Sequence, residues 1–449
     1  MAQSVSDSTN LIIERFNQRV RYLTSDRASV YGKFPVKDRS MYEGGDLNEA
    51  VTGMYNGSFM ATGPDPDTVP PPGKVKVQRC KIQKCFFLAS YGRDWFLDAM
   101  TQGKGAFTPQ KILTLDRTTA YVKQMLERQA LGDGTGVLVT SIGTVTGVTA
   151  ANWTFPVSLN ESVFLKEGAR VVFAATTGDR ANLPTAAFRD VPTKGYYTVK
   201  YNVPGTTTAT ITIEEASPGT SSPVATDSCI MYGAVREDAI SGTTNVGREM
   251  YGFDAIISAS GAILQVDTDL GFLATGGFEG LSPSNYGWWK SHEVDAGGTR
   301  ILGPSVFNEL ATRMVTHGVD EPDMIDEYVT HPDRIKDYEE TLTPGIRYAV
   351  SGSAPTDAPG GTAASLSETR KYLQYGSKNI VPNKYCPEAK CFAPRYSELG
   401  RYVLLDFSFR PEHDDYSGRP ATQGDALAIM QLGSTNRGAH GVIKALKTT

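Results

Sequence analysis

The chain has 449 residues, with 44 Lys and Arg against 49 Asp and Glu, a formal net charge of −5. At 40% hydrophobic and 21% charged residues it has the composition of neither a disordered chain nor a membrane protein. A protein dedicated to coating nucleic acid would be basic overall, so the mild acidity points away from that class too.

The length suggests roughly three domains, and 45 Gly with 25 Pro predict long, turn-rich loops and many β segments. The opening MAQSVSDSTN lacks the basic start and apolar core of a signal peptide. No apolar run approaches membrane-spanning length. Five cysteines, an odd number in a chain of this length, point to a reducing cytosol and not to a disulfide framework.

In chain order, the first segment reads as an arm carrying one helix. Ser8, Thr9 or Asn10 can cap it, and Ile12, Phe16, Val20 and Leu23 form a single apolar stripe. So narrow a stripe on a terminal helix has to dock on something. Residues 32–73 have sparse apolar alternation and end in five prolines between Pro64 and Pro72, which predicts an extended loop or hairpin needing outside contacts. A strand is expected through Val75, Val77, Cys80 and Ile82, running into an aromatic-rich turn of helix in CFFLASYGRDWFLDAM. Thr108 as N-cap and Pro109 at the first helical position open the clearest helix, with Ile112, Leu115, Thr119, Val122 and Leu126 on one face and Gly132 as its stop.

From 137 to 235 the texture becomes Thr/Val alternation with frequent turns, a β-rich module flanked by GDGTG and SGTTNVG as linkers. Pro304 starts a further helix through Val306, Leu310 and Met314, with Gly318 past its end, and another is expected over 331–342. The tract SGSAPTDAPGGTAAS reads as a mobile loop. RYVLLDFSF and DALAIMQLG read as strands.

This order of elements resembles the major capsid proteins of tailed bacteriophages, most tellingly over 121–138 and 301–342, where a helix, a Gly stop, a short strand and the HPDRI helix follow one another. The resemblance implies an α+β chain with the tailed-phage major capsid fold. Its parts would be an N-terminal arm (1–31), an extended loop (32–73), a peripheral domain with a spine helix (74–136), an inserted β-rich domain (137–235), an axial domain (236–400) and C-terminal strands returning to the core domains (401–449). It further implies self-assembly into hexamers and pentamers of an icosahedral shell around double-stranded DNA bound without sequence specificity. Scaffold, portal and decoration proteins would be separate chains. Such a shell is assembled in the host cytoplasm, touches no membrane, and has no cofactor and no catalytic or metal site.

The residue patterns that could carry chemistry are weak. Cys80/Cys85 and Cys386/Cys391 invite a four-thiolate zinc site, but strand positions five apart point to opposite faces, and small buried residues are the competing reading. His292–Glu293 lacks the second histidine of a metalloprotease helix. Glu412-His413-Asp414-Asp415 sits in a Pro/Gly-flanked loop, and GDGTG follows a helix instead of opening one. Charge is more informative: Lys74, Lys76, Arg79, Lys81 and Lys84 crowd one expected strand, while 320–340 carries nine acids against Arg334 and Lys336. These are either two solvated faces or complementary patches between subunits. The competing functions are another virion component (tail tube or adhesin), normally β-dominated throughout, and a hydrolase with an appended β module, which would need a clustered triad.

Overall fold

The computed structural model describes residues 30–37, 42–43, 46–52, 77–82, 84–94, 110–148, 150, 152–175, 187–189, 191–193, 195–216, 222–233, 235–237, 245–247, 249–257, 279, 281, 288–317, 325–349, 374–375, 378–410, 413–414 and 421–448. Among them the protein is α+β, with no helix long and apolar enough to cross a membrane.

The described chain begins with one helical turn, α1 (Val30–Lys33), and β1 (Val36–Lys37), which pairs in parallel with Arg401 and Tyr402. Residues 32–37, expected to open the extended loop, therefore belong to the body: Phe34 is buried there and the strand is anchored at once. Beyond them β2 (Tyr42–Glu43), β3 (Asp46–Thr52) and β4 (Val77–Ile82) make an antiparallel three-stranded sheet, with Thr52 opposite Val77. Its base is buried through Val51, Cys80 and Ile82.

Residues 85–94 correct the sequence reading. They form a ten-residue strand, β5 (Cys85–Asp94), and not a turn of helix. Cys85 and Tyr91 are buried, Phe87 and Ala89 half-buried, and Phe86, Leu88 and Ser90 exposed. That two-residue period is the signature of a strand with one face on a core. Of the single basic strand expected from 74 to 84, the described part is β4, which ends at Ile82; Lys84 lies beyond it, and β5, which follows, belongs to another sheet.

The helix expected after Pro109 is α2 (Gln110–Leu131), about 33 Å long at the α-helical rise. Leu115, Thr119 and Leu126 are buried on its inner side, and from Met125 to Leu131 every residue is buried. Gly132 ends it, its amide bonding to the Gln129 carbonyl. The expected GDGTG linker is no exposed tether: 133–136 is buried, with Asp133 Oδ1 accepting the Thr135 amide (3.1 Å) and hydroxyl (2.6 Å).

There follows a seven-stranded sheet drawn wholly from 137–231: β6 (Val137–Val139), β7 (Thr154–Ser158), β8 (Arg170–Ala175), β9 (Ala187–Phe188), β10 (Tyr197–Pro204), β11 (Thr208–Ile213) and β12 (Ser228–Met231), with α3 (Leu159–Ser162) after β7. Its core is its own. Trp153 packs 5.5 Å from both Phe155 and Phe173 and 5.6 Å from Tyr197, ringed by Val171, Ile211 and Ile213. The second expected linker, SGTTNVG, contributes a strand instead: β13 (Val235–Glu237) pairs with β14 (Asn245–Gly247).

The chain re-enters the body at α4 (Phe253–Ile256), preceded by Gly252. A Cβ at Gly252 would lie inside the van der Waals envelope of the Gln129 and Ala130 backbone, so only glycine lets this segment close against the end of α2. Gly252→Ala is expected to lose about 3 kcal/mol of stability through this overpacking, read as a lowered urea midpoint. An unchanged midpoint would show that the helix end can shift.

The axial part is a mixed six-stranded sheet flanked by two helices: β15 (His292–Asp295), α5 (Pro304–His317), β16 (Glu327–Thr330), α6 (Pro332–Ala349), β17 (Gln374–Tyr375), β18 (Lys378–Pro382) and β19 (Cys391–Ala393). α5 is as expected, with Val306, Phe307, Leu310 and Met314 buried. α6 runs on past Leu342, where the expected helix ended, through Pro344 and Gly345 to Ala349. The C-terminal strands are β20 (Leu399–Phe409), β21 (His413–Asp414), β22 (Ala421–Ser434) and β23 (Gly441–Lys444). β20 and β22 form a sheet with β1 and β5, and β23 crosses into the axial sheet between β15 and β19. The tract at 351–365 lies outside the described residues.

Candidate assembly surfaces

The arm's exit from the body is tightly fixed. Glu127 of α2 accepts the amides of Val30 (2.8 Å) and Tyr31 (3.0 Å) and the side-chain amide of Asn383 (2.7 Å). A carboxylate there satisfies two amides of α1 that have no helical partner. Lys33 Nζ reaches Glu327 Oε1 at 2.7 Å, Phe34 packs on Phe253 with ring centroids 5.4 Å apart, and the Arg401 guanidinium lies over the Tyr31 ring at 4.9 Å. Burial pushes the Tyr31 phenol up to about 12, so it stays neutral and donates to Met430 Sδ. One short turn thus joins the spine helix, the axial sheet and β20. The predicted stripe Ile12, Phe16, Val20 and Leu23 lies outside the described residues.

The sheet of β5, β20 and β22 has one face on the main core, through Cys85, Phe87, Ala428, Met430 and Leu432. Its other face carries an apolar band. Phe86 is 68% exposed and Leu88 67% exposed. Ile429 stands opposite Phe86, Leu427 opposite Leu88, and Leu405 opposite Ile429. Directly opposed residues of antiparallel strands share a face, so five apolar side chains run across three strands, the inner three only half-buried. An aromatic-rich turn of helix after the strand through Ile82, as the sequence suggests, would present no such band.

The charge pattern resolves only in part. Lys74 and Lys76 lie outside the described residues, Arg79 and Lys81 occupy β4, and Lys84 is half-buried just before β5. Lys84 therefore does not continue a strand face shared with Lys74 and Lys76. Of the acids, Glu327 and Asp337 are buried and used within the chain: Glu327 by Lys33 and Tyr396, Asp337 by Arg334 at 2.6 Å. Asp326 accepts the Tyr396 amide at 2.6 Å. Asp333 and Glu340 are exposed, and Asp320, Glu321 and Asp323 lie outside the described residues.

All five cysteines are buried and free. Cys80 donates to Glu279 Oε2 at 3.1 Å, whereas Cys85, in another sheet, donates to the Glu249 carbonyl at 3.3 Å. Burial pushes the Cys85 and Cys391 thiols up to about 12, so they are poor nucleophiles. Among the described residues no three His, Cys, Asp or Glu side chains gather as a metal-binding group.

Ser434 and His440 come closest to a catalytic pair, with Oγ 3.0 Å from Nε2. The pair is oriented the wrong way for base catalysis. Nδ1 accepts the Arg395 amide at 3.1 Å, so a neutral ring carries its proton on Nε2 and donates to the serine. Burial holds the ring neutral, down to about 3. Ser434 in turn donates to the Glu398 carbonyl at 3.1 Å, and both residues are shut from solvent.

No family model matches the chain, and no curated protein matches it. Among solved structures, the cyanophage A-1(L) capsid asymmetric unit is 9% identical, covering 94% of this chain and 93% of that one at a TM-score of 0.46. The capsid of the native GTA particle is 9% identical, covering 94% and 90% at 0.43. The satellite phage P4 procapsid, which includes the size determination protein, is 8% identical, covering 100% and 93% at 0.40.

Proposed function

We propose that this chain is the structural subunit of a closed shell of the tailed-phage type, acting by assembly with copies of itself. The observation that carries the reading is the apolar band on β5, β20 and β22. A contiguous uncovered apolar patch marks an association surface, and this one lies on the sheet from which the loop-bearing strands and the arm both depart. The element order supports it: a short first turn, a three-stranded sheet, a long helix, a β module and a mixed sheet follow one another in the order that the resemblance to major capsid proteins implies.

In this reading the subunits form hexamers and pentamers of an icosahedral shell around double-stranded DNA, in the host cytoplasm, with separate scaffold, portal and decoration proteins. The stripe Ile12, Phe16, Val20 and Leu23 docks on a neighbour, and the loop between β3 and β4 lies over one. The basic residues Lys74, Lys76, Arg79, Lys81 and Lys84 pair with acids of an adjacent subunit, Asp333 and Glu340 being the exposed partners on the axial side. Such pairs set register and rate more than affinity.

Negative-stain microscopy with light scattering on the purified chain tests this. Closed shells are expected. Removing residues 1–28 should leave folded subunits that form none, and salt near 1 M, where the screening length falls to about 3 Å, should slow assembly of the intact chain. A chain that stays monomeric throughout, or a truncation that closes shells normally, would contradict the reading.

A further inference from the structure

Glu279 sits where three parts of the molecule meet, and nothing in the assembly reading uses it. It is fully buried and takes a left-handed backbone conformation (φ 53°), which costs energy for a residue with a Cβ. Its Oε2 receives the Cys80 thiol from β4 at 3.1 Å, and its Oε1 receives the Ser434 amide at the end of β22 at 3.3 Å. Gly433 leaves the room: a Cβ there would stand 2.7 Å from Oε1. Among the described residues, titratable groups face the carboxyl from several elements. Cys80 faces it from β4, Glu49 from β3, Tyr402 from β20 and Arg437 from the turn after β22, with His440 behind Ser434.

This is a poor home for a negative charge. A thiol is a weak donor, the amide bond is long, and Glu49 adds a second carboxyl nearby, itself receiving the Tyr402 hydroxyl. Arg437, fully buried, directs Nε to the Ile256 carbonyl at 2.7 Å and Nη1 to the Trp289 carbonyl at 3.4 Å; its charge pulls the carboxyl down, but burial pushes it up by more. A protonated carboxyl avoids the far larger cost of burying a charge.

We propose that Glu279 is a proton-held joint: its neutral carboxyl lets the base of the loop-bearing sheet (β3 and β4) close against β20, β22 and the turn that follows, and its ionisation loosens that joint. The inference stands apart from the assembly reading, since it concerns one subunit and its test needs no shell.

The sign follows from linkage. Burial pushes the Glu279 carboxyl from 4.5 up to about 8. A group raised on closing stabilises the closed form fully below the open-form value and loses that contribution as pH rises through the closed-form value. Opening of the joint is therefore expected to grow by up to about tenfold per pH unit between 4.5 and about 8, then level off. Hydrogen exchange of the β4 amides, Val77–Ile82, in the full chain reads this directly once corrected for the intrinsic pH dependence of exchange.

Glu279→Gln keeps the shape and cannot ionise: its amide oxygen can accept the Ser434 amide while its NH2 group faces the Cys80 sulfur, a weak acceptor. Its corrected opening should be independent of pH, so that the ratio of wild-type to variant opening climbs from pH 5.5 to pH 8. Equal ratios at every pH would overturn the proposal. If the variant does not fold, the wild-type chain decides alone: a corrected opening constant that is flat over this range would overturn it too. Failure here leaves shell formation untouched, and absence of shells leaves this result untouched.

Discussion

Replacing Phe86 and Leu88 together by Glu is expected to leave a folded subunit that forms no shells. Both side chains are two-thirds exposed in the single chain, so their loss removes little from the core. The inward residues of the same strand, Cys85, Phe87 and Tyr91, are unchanged. Covering two large apolar side chains at a contact contributes roughly 3–6 kcal/mol, on the order of a hundredfold or more in association constant. Two carboxylates in their place add a desolvation cost, and the loss repeats at every contact of the shell. Circular dichroism and thermal unfolding should match the parent while light scattering shows only small species. The conservative pair Phe86→Leu and Leu88→Met should still assemble. Normal shells from the glutamate pair would remove the band from any role in assembly.

The largest effect on stability is expected at Arg128 and Glu249, which form a buried ion pair, each side chain 6% exposed. The pair ties the last turns of α2 to the segment by which the chain returns from the β module. Glu249→Ala strands a buried guanidinium, at a cost of about 3–5 kcal/mol. The backbone there is held separately by Cys85, whose thiol donates to the Glu249 carbonyl, so the loss reports the charge and not the path of the chain. Replacing both partners by apolar residues, Arg128→Met with Glu249→Leu, should recover most of it, because no lone charge remains. Equilibrium urea unfolding measures both. A loss under about 1 kcal/mol for the single variant would mean that the guanidinium finds another partner.

The parts of this fold that could be read from sequence are those whose physics is local. α2 announces itself through residues three and four apart and a Gly stop, and α5 through Pro304 and the spacing of Val306, Leu310 and Met314. β20 and β22 are apolar runs bounded by turns, and both are longer than the runs suggested. β5 was illegible because Cys-Phe-Phe-Leu is apolar on both faces. What makes it a strand is β22, paired from Asp94–Ala421 to Cys85–Met430, more than 300 residues away. Its uncovered outer face looks in sequence like any other buried run.

The polar residues that fix the joints were invisible for the same reason. Nothing near Glu127 in sequence says that it will cap a turn 97 residues upstream, or near Glu279 that a thiol 199 residues away will donate to it. Conversely, the basic cluster is conspicuous by count, but the one strand expected to carry it ends at Ile82, before Lys84. Two acids of its expected partner segment, Glu327 and Asp337, are committed within the chain.

The most direct test of shell formation is an electron cryomicroscopy reconstruction of particles assembled from the full chain. The expected result is a closed icosahedral shell of pentamers and hexamers in which Phe86, Leu88, Leu427 and Ile429 are covered by a neighbouring subunit. An open tube, or a closed shell in which that band faces solvent, would contradict it.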